Sequence, residues 1–586
     1  MTPKTAPSTP PCNPCGLDPR HQAKVQVLDG CAKQALETGR TRLLVAGLAF
    51  ALAFLIIAVR LVEVSALGQG REPRLAEEPT APKLVLGRAD IVDRNGIVLA
   101  TTLPTASLYA NPRQVRAPHQ LAQRLAAALP GLDAEETAAR LASDRAFVWL
   151  KRNLTPRQQA LVNDLGAPGL NFQRETKRVY PHGALSAHIV GFTDIDNRGI
   201  AGAERAFDER LRGATEPLAL SLDLRIQHIM AEELAASIER FDAIGGAGLV
   251  LDVETGELLS MVSLPTFDPK EPAAANDERL FNRASLGIYE MGSVFKIFTA
   301  AMALDSGMVA LDDSFDVSRP IKVSRYTIRD FKPRNRSLNV PEILIYSSNI
   351  GTVQMAMAAG TQRQQRFLES LGLLRPSGIE LREIGDPLKP SVWREINTMT
   401  ISYGHGLAVS PVQLVSAMAA VVNGGELKPT TLLRREADAP LAGRRVIDAQ
   451  TSDTMRWLMR LVVQHGTGRK GAAEGYMVGG KTGTAEKTVG RRYAKDARIA
   501  SFVGAFPMDR PRFVLFAMVD EPKGRKDTHG YATGGWVAAP VVRRVIQRMA
   551  PLLGIKARPA EETEGADVRL VPATHQGFTL AAHRSG

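Results

Sequence analysis

The chemistry of this sequence concentrates at Ser293-Val294-Phe295-Lys296, which opens an apolar run to about Leu304. Residues three apart share a helix face, so the serine hydroxyl and the lysine amine can meet. A serine hydroxyl is a poor nucleophile until a base takes its proton, and a neutral lysine can be that base. Neutrality requires a depressed pKa, which burial and a second nearby cation would supply. Gly292 lets the chain turn tightly just before the serine. The spacing alone is weak, because most S-x-x-K tetrads are a solvated serine and lysine.

Two further motifs give it company. Ser347-Ser348-Asn349 follows the apolar Ile343-Leu344-Ile345 and is expected in a loop. Ser347 can pass a proton between the amine and a leaving group, and Asn349 offers an amide donor and acceptor to orient a peptide bond. The same residue types also favour helix N-caps and turns. Lys481-Thr482-Gly483-Thr484 follows Gly479-Gly480. Gly483 leaves a strand edge with no side chain in the way, so a substrate can lie alongside as an added strand. Thr482 and Thr484 can hold a carboxylate. The N–H groups of Thr484 and Ser293 can form an oxyanion hole, and Lys481 supplies the second cation. Together the motifs describe attack on an amide with the acyl group carried as a serine ester. The cluster of histidines and carboxylates that a metal would want is missing, so no metal or cofactor is expected.

Residues 475–482 also fit the phosphate-loop pattern G-x-x-x-x-G-K-[ST], and 513–519 followed by Asp520-Glu521 imitates its companion strand. A phosphate loop needs a buried strand before it and a helix after it. Lys470-Gly471-Ala472-Ala473-Glu474 is no buried strand, and Gly483 and Gly490 interrupt any helical period, so this reading is rejected.

The motifs need a scaffold. Ile226, Ile229, Met230, Leu234 and Ile238 fall on one helix face. Residues 248–253 and 258–262 read as strands joined by Glu254-Thr255-Gly256-Glu257, as do 499–506 and 513–519 around Pro507 and Pro511. Residues 536–553 form an amphipathic closing helix. Early and late strands with helices between them make a mostly antiparallel, layered α/β domain of the α+β class over 221–555. Residues 63–220 form a separate domain. It starts with a Pro-rich linker at 69–83 and a hairpin over 89–99 around Asn95-Gly96, and continues with helices at 120–129 and 134–142. Its acidic residues are single and unpaired in sequence, which suits a spacer or interaction domain. Residues 556–586 are polar and expected to be disordered.

Residues 43–59 carry no charge, and Leu61-Val62 extend the stretch past Arg60 to about the ~20 residues that span a hydrocarbon core. The preceding tail, residues 1–42, holds Lys4, Arg20, Lys24, Lys33, Arg40 and Arg42 against Asp18, Asp29 and Glu37. Excess Lys and Arg mark the cytoplasmic side, which places the N-terminus inside and everything after about Glu63 outside. Val64-Ser65-Ala66 imitates a signal-peptide cleavage site. The tail is too long for a signal and the apolar core exceeds its usual ~7–15 residues, so an uncleaved anchor over 43–62 is expected. Cys12, Cys15 and Cys31 all precede the anchor, so the exported part makes no disulfides. The net charge of +12 is scattered and reads as a basic, solvated surface.

The trio S-x-x-K, S-x-N and K-T-G resembles the signature of the penicillin-binding proteins, with Ser348 where class A β-lactamases have Asp. Tyr289-Glu290-Met291-Gly292-Ser293 looks like the lead-in to the family's active serine, apart from Met291, where proline is common. Residues 88–96 and 205–213 resemble the pedestal of the class B, monofunctional members. The segments 403–407 and 410–414 are similar to theirs as well. Residues 520–540 most resemble the cell-division member, and the resemblance covers about residues 43–550.

It implies a penicillin-binding transpeptidase domain preceded by a membrane anchor and an elongated pedestal. It also implies a D,D-transpeptidase that cross-links peptidoglycan stem peptides and is inhibited by β-lactams. Ser293 would be the nucleophile, Lys296 the base, Ser347 the proton relay and Asn349 a substrate ligand. Lys481, Thr482, Gly483 and Thr484 would line the substrate strand and hold its terminal carboxylate. The implied setting is the inner membrane at the division septum, with a polytopic glycan polymerase and other division proteins as partners and no nucleic acid. A β-lactamase-type hydrolase, an elongation-specific transpeptidase and a non-enzymatic penicillin sensor are the alternatives.

Overall fold

The computed structural model describes residues 22–66, 87–272, 277–323, 326–436, 441–489, 492–559 and 562. The chain divides into two compact units, Met1–Leu84 and Val85–Gly586. The first holds one long helix, Gln22–Ala66. Its segment Arg40–Val62 is long and apolar enough to cross a membrane. Leu48, Phe50, Leu55 and Ile56 are all exposed, so the helix is apolar around its whole circumference rather than along one stripe. It begins well before the apolar stretch, because the preceding residues are rich in good helix formers such as Ala, Lys and Gln. Cys12, Cys15 and the linker at 69–83 lie outside the described residues.

The second unit opens on the Asn95-Gly96 turn. Strand Ile91–Val92 pairs antiparallel with Val98–Ala110, and Gly96 has φ +85°. The latter strand runs far beyond the expected hairpin and pairs with both Val148–Leu154 and Leu170–Val179. Helices Pro118–Ala128 and Ala134–Leu141 close a separate small core around Leu108, Leu121, Leu125, Leu141 and Leu150.

Acidic residues that stand singly in the sequence meet arginines in space. Glu204 is fully buried between Arg88 and Arg178, both more than 80 residues away from each other in sequence, and accepts from Arg178 Nε at 2.7 Å. Arg88 also reaches Asp208 at 2.6 Å. Removing one partner of such a cluster strands buried charge. Glu204→Ala is therefore expected to destabilise the pedestal by about 3–5 kcal/mol, read as a fall in its melting temperature. Wild-type melting in that variant would deny the cluster a structural role.

Asp93, at the same turn, accepts from Asn95 N and Ile97 N, both at 2.8 Å, and from Leu224 N at 3.2 Å. The turn thereby fixes the start of helix Leu224–Arg240, the first of the next domain. Beyond it lies a five-stranded antiparallel sheet in the order 479–489, 492–506, 513–520, 245–252, 258–264. Strand Phe513–Asp520 is buried along its whole length. Its alternate residues face opposite cores, as a pleated strand requires. Val514, Phe516 and Met518 join the large motif-side core. Phe513, Leu515, Ala517 and Val519 pack against Met230, Val541, Val545 and other residues of the flanking helices.

The closing helix is divided. Gly534–Val537 forms one turn, and Ala539–Leu552 continues after Ala538 with Pro540 in its first turn, where no intrahelical N–H is needed. Residues just past it are packed rather than loose, since Arg558 donates to Gly475 O at 2.9 Å and pairs with Asp509 at 2.7 Å. The remainder of the tail expected at 556–586 lies outside the described residues, apart from Lys556, Ala557, Arg558, Pro559 and Glu562.

Candidate active site

The edge strand Gly479–Val489 and the turn Gly292–Phe295 meet because glycine lets them. Gly292 has φ +53°, and a Cβ there would lie 2.6 Å from Thr484 O. A Cβ on Gly483 would lie 2.5 Å from Met291 O. No side chain fits at either point, so the serine turn rests directly against the motif strand. Ser293 is half-buried in a 3₁₀ turn, and helix Lys296–Asp305 starts at the lysine itself. A second support ties the serine's lead-in to segment 403–407. Glu290 accepts from Gly406 N at 2.8 Å and sits 3.0 Å from His405 Nδ1.

Lys296 is fully buried, and its Nζ donates to Ser347 O and, at 3.2 Å, to Ser347 Oγ. Lys481 Nζ, equally buried, donates to the same Oγ at 2.9 Å and to Thr482 O at 3.2 Å. The Ser347 hydroxyl thus bridges the two amines. Ser293 Oγ makes no hydrogen bond among the described residues. Ser347 holds its place at a backbone cost. It caps helix Val340–Tyr346 in the left-handed region, φ +59° and ψ +44°, where a non-glycine residue is disfavoured by ~1–2 kcal/mol.

The second motif is not a loop throughout. Ser348 is the N-cap of helix Asn349–Ala359, its Oγ accepting from Gly351 N at 3.0 Å, and Asn349 opens the helix. The motif is therefore a helix N-cap as well as a candidate for substrate contact. Asp330, which sequence reasoning missed, organises the motif. Its carboxylate accepts from Ser348 Oγ at 2.7 Å, Asn349 N at 2.6 Å and Ile350 N at 3.0 Å. Asn349 Nδ2 donates to Arg329 O at 2.8 Å. No spacing rule links Asp330 to a motif some 18 residues further on. The third motif has supports of its own. Thr482 Oγ1 is 2.8 Å from Thr467 Oγ1, and Thr484 Oγ1 accepts from Gly534 N at 3.2 Å. The eight residues singled out in the sequence fall in three short segments, 293–296, 347–349 and 481–484, with Ser347 joining the first to the third through the two lysines. Lys481 and Thr482 sit inside a strand, not at a loop leading into a helix, which removes the phosphate-loop alternative.

Burial strips both lysines of solvent. It lowers Lys296 well below the usual lysine range, with the charge of Lys481 acting in the same direction and Asp330 opposing. Burial alone brings Lys481 to about 7. Both shifts favour the neutral amine, and the charge of Lys481 disfavours a proton on Lys296 further, which suits Lys296 to accept one. A group whose folded pKa is depressed loses its proton earlier as pH rises. Acylation by a penicillin is expected to climb as Lys296 deprotonates and to fall above about pH 7 as Lys481 loses its charge. In Lys481→Arg, whose cation persists, the alkaline limb should vanish at a lower overall rate. A rate that rises monotonically past pH 9 in the wild type would remove Lys481's charge from the reaction.

The fold and this site define a serine acyltransferase of the penicillin-recognising type. The chain belongs to the penicillin-binding proteins, and to their class B. The Penicillin binding protein transpeptidase domain matches residues 246–547, and the Penicillin-binding Protein dimerisation domain matches residues 85–217. It is 40% identical over 485 residues to the probable peptidoglycan D,D-transpeptidase FtsI of Caulobacter vibrioides, covering 80% of this chain and 82% of that one. The transpeptidase domain of Burkholderia pseudomallei penicillin-binding protein 3 is 34% identical with a TM-score of 0.52, over 58% of this chain and 98% of the other. Penicillin-binding protein 3 of Mycobacterium tuberculosis, solved with aztreonam, shares the fold at 24% identity and a TM-score of 0.64, over 81% and 97% of the two chains.

Proposed function

The chain is a peptidoglycan D,D-transpeptidase, and we propose that its Ser293 attacks the D-Ala-D-Ala bond of a stem peptide. The observation that supports this best is the bridging of Lys296 and Lys481 by the Ser347 hydroxyl. Neutral Lys296 accepts the Ser293 proton as the hydroxyl adds to the carbonyl carbon. The N–H groups of Ser293 and Thr484 stabilise the oxyanion. The proton then passes through Ser347 Oγ to the departing D-Ala nitrogen, leaving an ester on Ser293. Charged Lys481, with the hydroxyls of Thr482 and Thr484, binds the terminal carboxylate, and Asn349 orients the peptide bond. The donor strand lies along the free edge of Gly479–Val489, beside side-chain-free Gly483. An amine of a neighbouring stem then takes the acyl group, and β-lactams acylate the same serine.

The proposed organisation is the one read from the sequence: a tail at 1–42, an anchor at 43–62, a pedestal at 63–220, the transpeptidase domain at 221–555 and a C-terminal tail. The basic N-terminal tail sets the N-terminus inside and the catalytic domain in the periplasm of the inner membrane. The likeness to FtsI supports a septal role beside a polytopic glycan polymerase and other division proteins. One experiment tests orientation and place together. A C-terminal fusion to a fluorescent protein that folds after export should light up at mid-cell, while one that folds only in the cytoplasm stays dark. Label along the side wall, with rounded cells on depletion, would assign the chain to elongation instead.

A further inference from the structure

Away from the three motifs, the transpeptidase domain carries an open cleft of about 700 Å³ between helix Thr361–Ser370 and residues 389–393. Arg366, Arg375, Lys389 and Arg444 line it against one carboxylate, Glu369, with the half-buried indole of Trp393 in its wall. Elsewhere on this surface arginines find acids readily, as in Arg336–Glu342 and Arg548–Glu233. Here, among the described residues, none of the four cations is paired with a carboxylate.

Two of them have a structural reason to be present. Arg444 donates to Ser370 O at 2.6 Å and Lys389 to Leu374 O at 2.9 Å, answering carbonyls at and just beyond a helix C-terminus. Arg366 and Arg375 have none, and both guanidinium groups are exposed beside like charges. Trp393 is fixed by its Nε1 bond to Thr398 Oγ1 at 3.2 Å. A held indole beside two exposed guanidinium groups without carboxylate partners suits a ligand that carries carboxylates on a compact, partly apolar frame.

We propose that this cleft is a second, non-catalytic seat for the stem peptides of the wall polymer, the guanidinium groups taking their carboxylates and the indole the sugar or alkyl part. The proposal rests on the transpeptidase reading, which puts this polyanionic polymer beside the domain. The cleft has the size of a small-ligand site, about 300–1,000 Å³, rather than the broad face of a protein interface. Held there, one strand of the wall would keep the enzyme on its substrate between turnovers.

The test uses the full chain in detergent with its active serine blocked by benzylpenicillin. Calorimetric titration with a soluble disaccharide-pentapeptide should still show binding, weakened by added salt. Arg366→Glu with Arg375→Glu should lose roughly ten-fold or more in affinity yet be acylated by penicillin at the wild-type rate, which also shows it folded. Quenching of tryptophan fluorescence by the ligand should disappear in Trp393→Phe. No binding to the acylated chain, or equal affinity in the double variant, overturns the proposal. Tighter binding of a decaglutamate peptide than of the disaccharide-pentapeptide would also overturn it and assign the cleft to an acidic protein. If penicillin fails to acylate the wild type, the Ser293 reading falls separately. The comparison of wild type with the double variant on unmodified protein then still decides the cleft.

Discussion

Ser293→Ala is expected to abolish covalent labelling by a fluorescent penicillin and to leave the protein folded. The hydroxyl is half-buried and makes no hydrogen bond among the described residues, so its loss strands no buried partner. A change of that kind costs within about 0.5 kcal/mol. The chemical effect is total, because no ester forms without that oxygen. Lys296→Ala should slow acylation by roughly 10²–10⁴-fold, the usual contribution of a general base. It should also loosen the fold, since Lys296 is fully buried and holds Ser347 O and Oγ. The readout is mass spectrometry of the labelled peptide together with thermal melting. Label persisting in Ser293→Ala, or mapping to Ser347, would sink the assignment of the nucleophile.

The second large effect concerns the fate of the ester, which separates a transferase from a hydrolase. A class A β-lactamase clears its ester with a glutamate that activates water, set in an E-x-x-L-N pattern between the second and third motifs. Between Asn349 and Lys481 this chain has no such pattern, and Glu395-Ile396-Asn397, the nearest, is wrongly spaced. The structure adds a reason from geometry. Asp330, the carboxylate that touches the second motif, is committed to Ser348 Oγ and to the N–H groups of Asn349 and Ile350. Glu290, next to the serine turn, is committed to Gly406 N and His405.

With neither carboxylate placed to activate water, hydrolysis is slow and the natural acceptor is an amine. An opened penicillin stays attached and blocks that amine's approach. The penicilloyl ester should therefore persist for minutes to hours, against turnover of about 10 s⁻¹ or faster in an efficient hydrolase. Decay of labelled acyl-enzyme after removal of free drug measures this. Turnover within seconds, with hydrolysed penicillin accumulating, would favour the β-lactamase reading.

The sequence by itself determined which groups are proposed to react. Ser293 and Lys296, Ser347 and Asn349, and the run from Lys481 to Thr484 each sit within a few residues of one another. Their meaning comes from chemical type and short-range geometry, both legible locally. The same holds for the Asn95-Gly96 turn, the apolar stretch within Gln22–Ala66 and the alternating strands of the sheet, which report period and turn chemistry. What only the tertiary structure decided depends on residues far apart in the chain. Lys296 and Lys481 are 185 positions apart and become a coupled pair only because Gly292 and Gly483 let two backbones touch. Asp330 acts on the second motif from another loop, and Glu204 neutralises Arg88 across 116 positions. Burial converts these encounters into function. It removes water from the two amines and so favours their neutral forms, and no local pattern encodes how deeply a side chain will lie.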